Sequence, residues 1–164
     1  MRRKDREVTD VNGIEEILLQ CKTCHVAMVD HGIPYVVPLN YGYKILDGNV
    51  LELYFHSAFR GRKIDALKRN NRVCFEMSYE GEPIHSEIAC NSGYYFASVI
   101  GFGDAVFIED SDEKCSALSI MFNHQAGRDV AFTADQAKNV CVFKIVSTDF
   151  TGKKNRSQTY CRST

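Results

Sequence analysis

The chain has 164 residues, the size of one domain and too short for two of ordinary size. Apolar residues make up 45% of it, enough for a core that needs no metal or disulfide. Its 21 acidic and 20 basic residues nearly cancel, which speaks against a nucleic-acid binder with a clustered basic excess.

No apolar run approaches the ~20 residues that cross a bilayer. The charged opening, Met1 to Arg6, is not followed by the apolar stretch of a secretory signal, so a cytoplasmic protein without a membrane role is expected. Seven cysteines, at 21, 24, 74, 90, 115, 141 and 161, have no regular spacing and read as reduced thiols. Cys74 and Cys141 lie in strand-like runs as small core residues.

In chain order, Asn12-x-x-Glu15 has a capping-box form and starts a short helix over residues 13–20. Residues 24–29 read as a strand and Asp30-His31-Gly32 as a hairpin turn. Residues 33–46 form a long extended stretch that ends at the Asp47-Gly48-Asn49 turn. Residues 50–56 alternate, with Leu51, Leu53 and Phe55 on one face and Glu52, Tyr54 and His56 on the other. A helix over 60–69 and a strand over 72–79 follow, then a loop over 80–93. Residues 94–108 make a long strand with a bulge or bend at Gly101 and Gly103. Asp110 and Glu113 cap a helix to about Asn123, and residues 139–146 are the last strand.

Six strands, three helices and mostly short turns favour antiparallel pairing. The expected fold is mainly β, a six-stranded antiparallel barrel with peripheral helices. It forms one domain over 1–150, followed by a polar tail over 151–164.

The segment from His56 to Lys63 carries the most chemistry. Arg60, Arg62 and Lys63 crowd a helix N-terminus, where the dipole disfavours cations unless an anion sits between them. Arg62 can grip a phosphate with a fork and Lys63 adds a point charge. Ser57 can donate a hydroxyl, and Gly61 permits close approach. No Walker loop is present, and Gly101-Phe102-Gly103 lacks the third glycine of a dinucleotide fingerprint.

Five runs occur in order: Pro38-Leu39-Asn40-Tyr41-Gly42, Tyr54-Phe55-His56-Ser57, Gly61-Arg62-Lys63-Ile64-Asp65, residues 70–75, and Ser98-Val99-Ile100-Gly101-Phe102-Gly103. Together they resemble the pyridoxamine-phosphate-oxidase-like FMN-binding family, nearest its 5-nitroimidazole-resistance (Nim) branch. The resemblance runs to about Lys153. It implies a split β-barrel homodimer with FMN at the subunit interface. By position, Val37, Pro38, Leu39 and Asn40 would run along the isoalloxazine ring, and His56 and Ser57 would lie beside it. Gly61, Arg62 and Lys63 would hold the phosphate, and Ser98 and Val99 would come from the partner subunit. Two departures stand out. Ala97 replaces an arginine frequent in the family, and the end of the chain, Tyr160 to Thr164, does not match the arginine motif of the oxidases proper. The resemblance therefore implies reduction of small nitro-aromatic or related compounds rather than oxidation of pyridoxamine phosphate, with an electron donor that the sequence does not name. His56 is the candidate catalytic group, an imidazole being the side chain most often used for proton transfer.

Cys21-Lys22-Thr23-Cys24-His25 has the c-type haem attachment form. A strand would aim Cys24 and His25 at opposite faces, and a zinc site here would lack a fourth ligand, so no metal site is assigned. A flavin- or haem-binding storage or sensor protein, or a deazaflavin on the same scaffold, is the alternative. Tyr41 and Tyr43 read as packing residues that could line a pocket.

Overall fold

The computed structural model describes residues 2–155. The strands are β1 (Glu7–Val8), β2 (Thr23–Asp30), β3 (Ile33–Asn40), β4 (Gly42–Leu46), β5 (Val50–Ser57), β6 (Arg72–Ile84), β7 (Gly93–Ile108) and β8 (Cys141–Lys154). The helices are α1 (Val11–Gln20), α2 (Arg62–Arg69), α3 (Ser111–Ala126) and α4 (Ala134–Ala137). The sheet order is β3-β2-β6-β7-β8-β5-β4, with β1 beside β8, and every pairing is antiparallel.

Local chemistry accounts for the turns and caps. His31 (φ 51°) and Gly32 (φ 81°) both lie in the left-handed region, the two-residue turn whose twist matches a hairpin. Asp10, not Asn12, caps α1 by accepting from the Gly13 amide at 2.7 Å, so the helix begins two residues earlier than expected. Asp110 caps α3 as expected, accepting from the Asp112 and Glu113 amides.

The described strands number eight where the sequence suggested six. One addition is the short β1. The other comes from residues 33–46, which break at Tyr41 into β3 and β4. Tyr41 is fully buried and its hydroxyl donates to the Leu18 carbonyl at 3.0 Å, so the chain turns inward there. At Gly42 a Cβ would come within 2.6 Å of the Met121 Cα. Only glycine lets α3 lie this close to the strand. β6 also outruns its expected end and pairs through Ile84, taking in the first part of the stretch read as loop. β7 is one strand with a register shift against β8 between Phe102 and Asp104, where a bulge was expected. β8 takes in residues 151–154, the start of the expected tail; residues 156–164 lie outside the described ones.

β3 and β4 are the two ends of the sheet, yet only Tyr41 separates them in the chain. The sheet therefore bends round, and Val26, Phe55, Phe75, Val99 and Phe143, from five different strands, share one core. Phe55 and Phe143 stack at 5.1 Å. Each such side chain contributes about 1.5–3 kcal/mol by burial. Among the described residues no ladder joins β3 to β4. A smaller cluster of Tyr54, Ile108, Leu118, Met121 and Val142 seats α3 on the outer face of β5 and β8. Tyr54, expected on the open face, is buried for that reason.

Candidate functional site

Two segments border β3: the end of β5, where His56 lies beside Asn40 at the end of β3, and the start of α2, where Arg62 lies against Tyr35 near its beginning. β5 delivers His56 exposed and Ser57 buried. A short loop leads to Gly61, whose φ of 135° and ψ of 164° belong to a region that other residues avoid. α2 starts at Arg62 rather than Arg60, leaving Arg60 in the loop.

The three cations are not equivalent. Arg62 Nε donates to Asp30 Oδ2 at 2.7 Å, and its guanidinium carbon lies 4.2 Å from the centre of the Tyr35 ring. Arg69 Nη2 donates to the other oxygen of Asp30. The hydrogen bond from Arg62 and that from Arg69 hold the Asp30 carboxyl below the usual carboxylate range, against the opposing effect of burial. Among the described residues Arg60, Lys63 and the two terminal nitrogens of Arg62 have no hydrogen bond or ion pair.

β3 borders the site with an unpaired edge. Tyr35, Val37 and Leu39 pack on the core, whereas Pro34, Val36, Pro38 and Asn40 are exposed. Proline lacks an N–H and is tolerated in a strand where that group would face away from the ladder. Val36 and Asn40, of the same parity as the two prolines, accordingly turn backbone groups to the open edge. The Asn40 side chain donates to the Lys22 carbonyl and to Gln125 Oε1, each at 3.1 Å. Gln125 in turn donates to the carbonyls of Lys22 (3.1 Å) and Tyr41 (2.8 Å). This network ties the last turn of α3 to the end of β3.

His56 and Asn40 stand at the mouth of a cleft of about 400 Å³. Its walls are Leu118, Met121, Phe122, Phe132 and Val140, with Gln125 and Gln136 as further polar groups. Among the described residues no aspartate, glutamate, lysine or arginine lines it.

The sequence-predicted residues divide into two sets. Val37, Pro38, Leu39 and Asn40 lie on β3, and His56, Ser57, Gly61, Arg62 and Lys63 follow from β5 into α2. Ser98 and Val99 are elsewhere, on β7, with β6 and β2 between them and β3. At the usual strand spacing that is about 14 Å away. Val99 is fully buried in its own core, so only its backbone can meet a ligand. Sequence reasoning missed Asp30, Tyr35 and Gln125. Asp30 reads locally as a turn residue, and its arginine partners are 32 and 39 positions away.

The Cys21–His25 motif is not assembled for chemistry. Cys21 and Cys24 are buried, and burial pushes the Cys21 thiol up to about 11 and the Cys24 thiol higher still. His25 points out to Glu76 at 3.1 Å. Both sulfurs would have to leave the core to reach a haem. Cys141 is a core residue as expected, but Cys74 is only half-buried.

The pyridoxamine 5'-phosphate oxidase family model matches residues 10–154. The chain belongs to that family. A candidate 5-nitroimidazole antibiotic resistance protein from Bacteroides thetaiotaomicron is 36% identical. That match covers 90% of this chain and 86% of the other, with a TM-score of 0.78. It agrees with the branch that the sequence resembles. Two more distant members of the fold are the flavocytochrome Anf3 from Azotobacter vinelandii and a protein from Mycobacterium smegmatis described as binding FAD and heme. Anf3 is 21% identical with a TM-score of 0.76, covering 96% of this chain and 72% of its own. The M. smegmatis protein is 16% identical with a TM-score of 0.77, covering 93% and 74%. No curated protein matches. No described helix is long and apolar enough to cross a membrane.

Proposed function

We propose that this member of the family is an FMN-dependent oxidoreductase that reduces small uncharged compounds, nitro-aromatics among them, as a cytoplasmic homodimer. The observation that carries this reading is the run from the open edge of β3, past His56, to the start of α2, where Lys63 and the two terminal nitrogens of Arg62 have no hydrogen bond or ion pair among the described residues. FMN needs those three things: backbone donors and acceptors for the ring edge, a group beside the ring, and cations for the phosphate.

Arg62 and Lys63 would bind the phosphate, and Ser57 would face the adjoining chain of the cofactor. Bound FMN would supply electron transfer from a donor to the substrate. The chain itself orients and excludes water. The mostly apolar cleft favours an uncharged substrate, since apart from His56 its described lining offers no side chain that could offset the desolvation of an anion. His56, at the mouth, can deliver a proton to a substrate atom as it gains electrons.

Support for the dimer lies on the outer face of the sheet. Val36, Ala27, Cys74 and Phe102 stand in register across four strands, and Val36 and Phe102 are about half exposed (54% and 46%). A contiguous apolar row of this kind marks an association surface. Ser98 stands on the same face of β7 as Phe102, where a second copy could receive it.

The test is the visible spectrum of the protein after reconstitution with FMN, followed by turnover with a chemical donor and a nitro-aromatic substrate. A bound flavin that bleaches and recovers over many cycles supports the reading. Stoichiometric binding without turnover favours a storage or sensor protein, and no flavin binding refutes the assignment.

A further inference from the structure

We propose that Asp30 is a positioning residue that sets the Arg62 guanidinium to receive a phosphate monoester; the inference rests on the FMN reading above. Asp30 closes β2 beside the His31-Gly32 turn, and its side chain is only 10% exposed. Its two oxygens have different tasks. Oδ2 accepts from Arg62 Nε at 2.7 Å and Oδ1 accepts from Arg69 Nη2. Arg62 is the first residue of α2 and Arg69 the last, so one carboxylate holds both ends of the helix that supplies the cations.

An arginine and a carboxylate left to themselves tend to pair through two parallel hydrogen bonds, which would occupy Nε and one terminal nitrogen. Arg69 prevents this by claiming Oδ1. Asp30 therefore fixes Arg62 through Nε alone. The Tyr35 ring, 4.2 Å from the guanidinium carbon, fixes the plane of the group. Nη1 and Nη2 remain without a partner among the described residues and form a fork suited to two phosphate oxygens. The charge balance agrees. One carboxylate between two arginines leaves a net positive charge, to which Lys63 and Arg60 add. Arg62 is thus oriented without being neutralised, and a long side chain that would otherwise lose its freedom on binding is ordered beforehand.

FMN and riboflavin differ only in the phosphate, so their affinity ratio reads the fork directly. Both would be titrated into wild type, D30N, R62A and D30N/R62A by quenching of flavin fluorescence. Wild type should prefer FMN. D30N should weaken FMN binding roughly three- to tenfold, the cost of ordering one long side chain, and leave riboflavin binding unchanged. On the R62A background D30N should have no further effect. Y35L, which removes only the contact to the guanidinium face, should show a smaller loss confined to FMN and covers the case of a D30N chain that does not fold. An equal loss of both flavins, a further loss on the R62A background, an unchanged ratio or a gain in FMN affinity would each overturn the positioning role. A wild type that binds the two flavins equally would instead overturn the phosphate assignment itself.

Discussion

His124, in the last turn of α3, places its Nε2 2.9 Å from the carbonyl oxygen of Cys21, and the Lys22 ammonium returns the contact to the His124 carbonyl at 2.6 Å. The imidazole is buried, with the Tyr41 and Tyr43 rings 4.7 and 5.2 Å away. A ring nitrogen facing a carbonyl must carry the proton, so the neutral ring already satisfies this contact. α3 is thereby locked to the start of β2, and with it the wall of the cleft beside His56.

Burial, more than the neighbouring Lys22 charge, lowers the pKa of His124 below 6.5. The unfolded chain therefore takes up a proton on acidification before the folded one does. Stability is complete above pH 6.5 and is lost as the pH falls from there towards the lowered value. H124F keeps a ring but leaves the Cys21 carbonyl unpaired, which should cost about 1–3 kcal/mol at pH 7. Urea unfolding of both proteins between pH 7.5 and 5 should give a smaller pH slope in H124F. Equal slopes would mean that another group carries the acid sensitivity.

Cys21 and Cys24 should resist labelling while the fold is intact. Their sulfurs sit in the core and their thiols titrate far above neutrality, because burial disfavours the thiolate. Cys90 lies exposed in the segment between β6 and β7. Iodoacetamide at pH 7.5, with sites mapped by mass spectrometry, should modify Cys90 first among the described cysteines and reach Cys21 and Cys24 only in denaturant. Early labelling of the pair in native protein would reopen the haem-attachment reading.

Features encoded within a few residues were legible in the sequence. The His31-Gly32 turn, the Asp110 cap, the alternation of Leu51, Leu53 and Phe55 and the bulge near Gly103 each follow from local conformational chemistry. Features made by distant contacts were not. Tyr54 alternates as an outward residue and is covered because α3 arrives from some sixty positions later. The break at Tyr41 depends on the Leu18 carbonyl and on the approach of Met121 to Gly42. In the site, the segment from His56 to Lys63 declared itself by its charge. The partners of Arg62 did not, because Asp30 and Tyr35 look like ordinary turn and strand residues. The cleft wall read only as the apolar face of a helix.

Gly61 links fold to site through its backbone. A Cβ there would meet nothing within 4 Å, so the cost of G61A is conformational rather than steric. Holding alanine at φ 135° costs about 1–3 kcal/mol. The chain can escape that cost only by re-aiming the first turn of α2, which carries Arg62 and Lys63. G61A should therefore unfold at lower urea and lose FMN affinity more than riboflavin affinity. A variant as stable as wild type would show that the loop relaxes freely and that Gly61 is not what aims the helix.

His56 offers the sharpest separation of binding from chemistry. It is exposed at the end of β5 and, among the described residues, engages no hydrogen-bond partner, so replacing it removes no contact that supports the fold. H56N should melt close to wild type and bind FMN with similar affinity. If the imidazole delivers a proton during substrate reduction, the rate at which reduced protein is reoxidised by a nitro-aromatic should fall about 10²- to 10⁴-fold. Bleaching by the donor, which does not involve that proton, should keep its rate. Stopped-flow absorbance resolves the two half-reactions. Unimpaired reoxidation in H56N would remove His56 from the chemistry and leave it a role in shaping the mouth of the cleft.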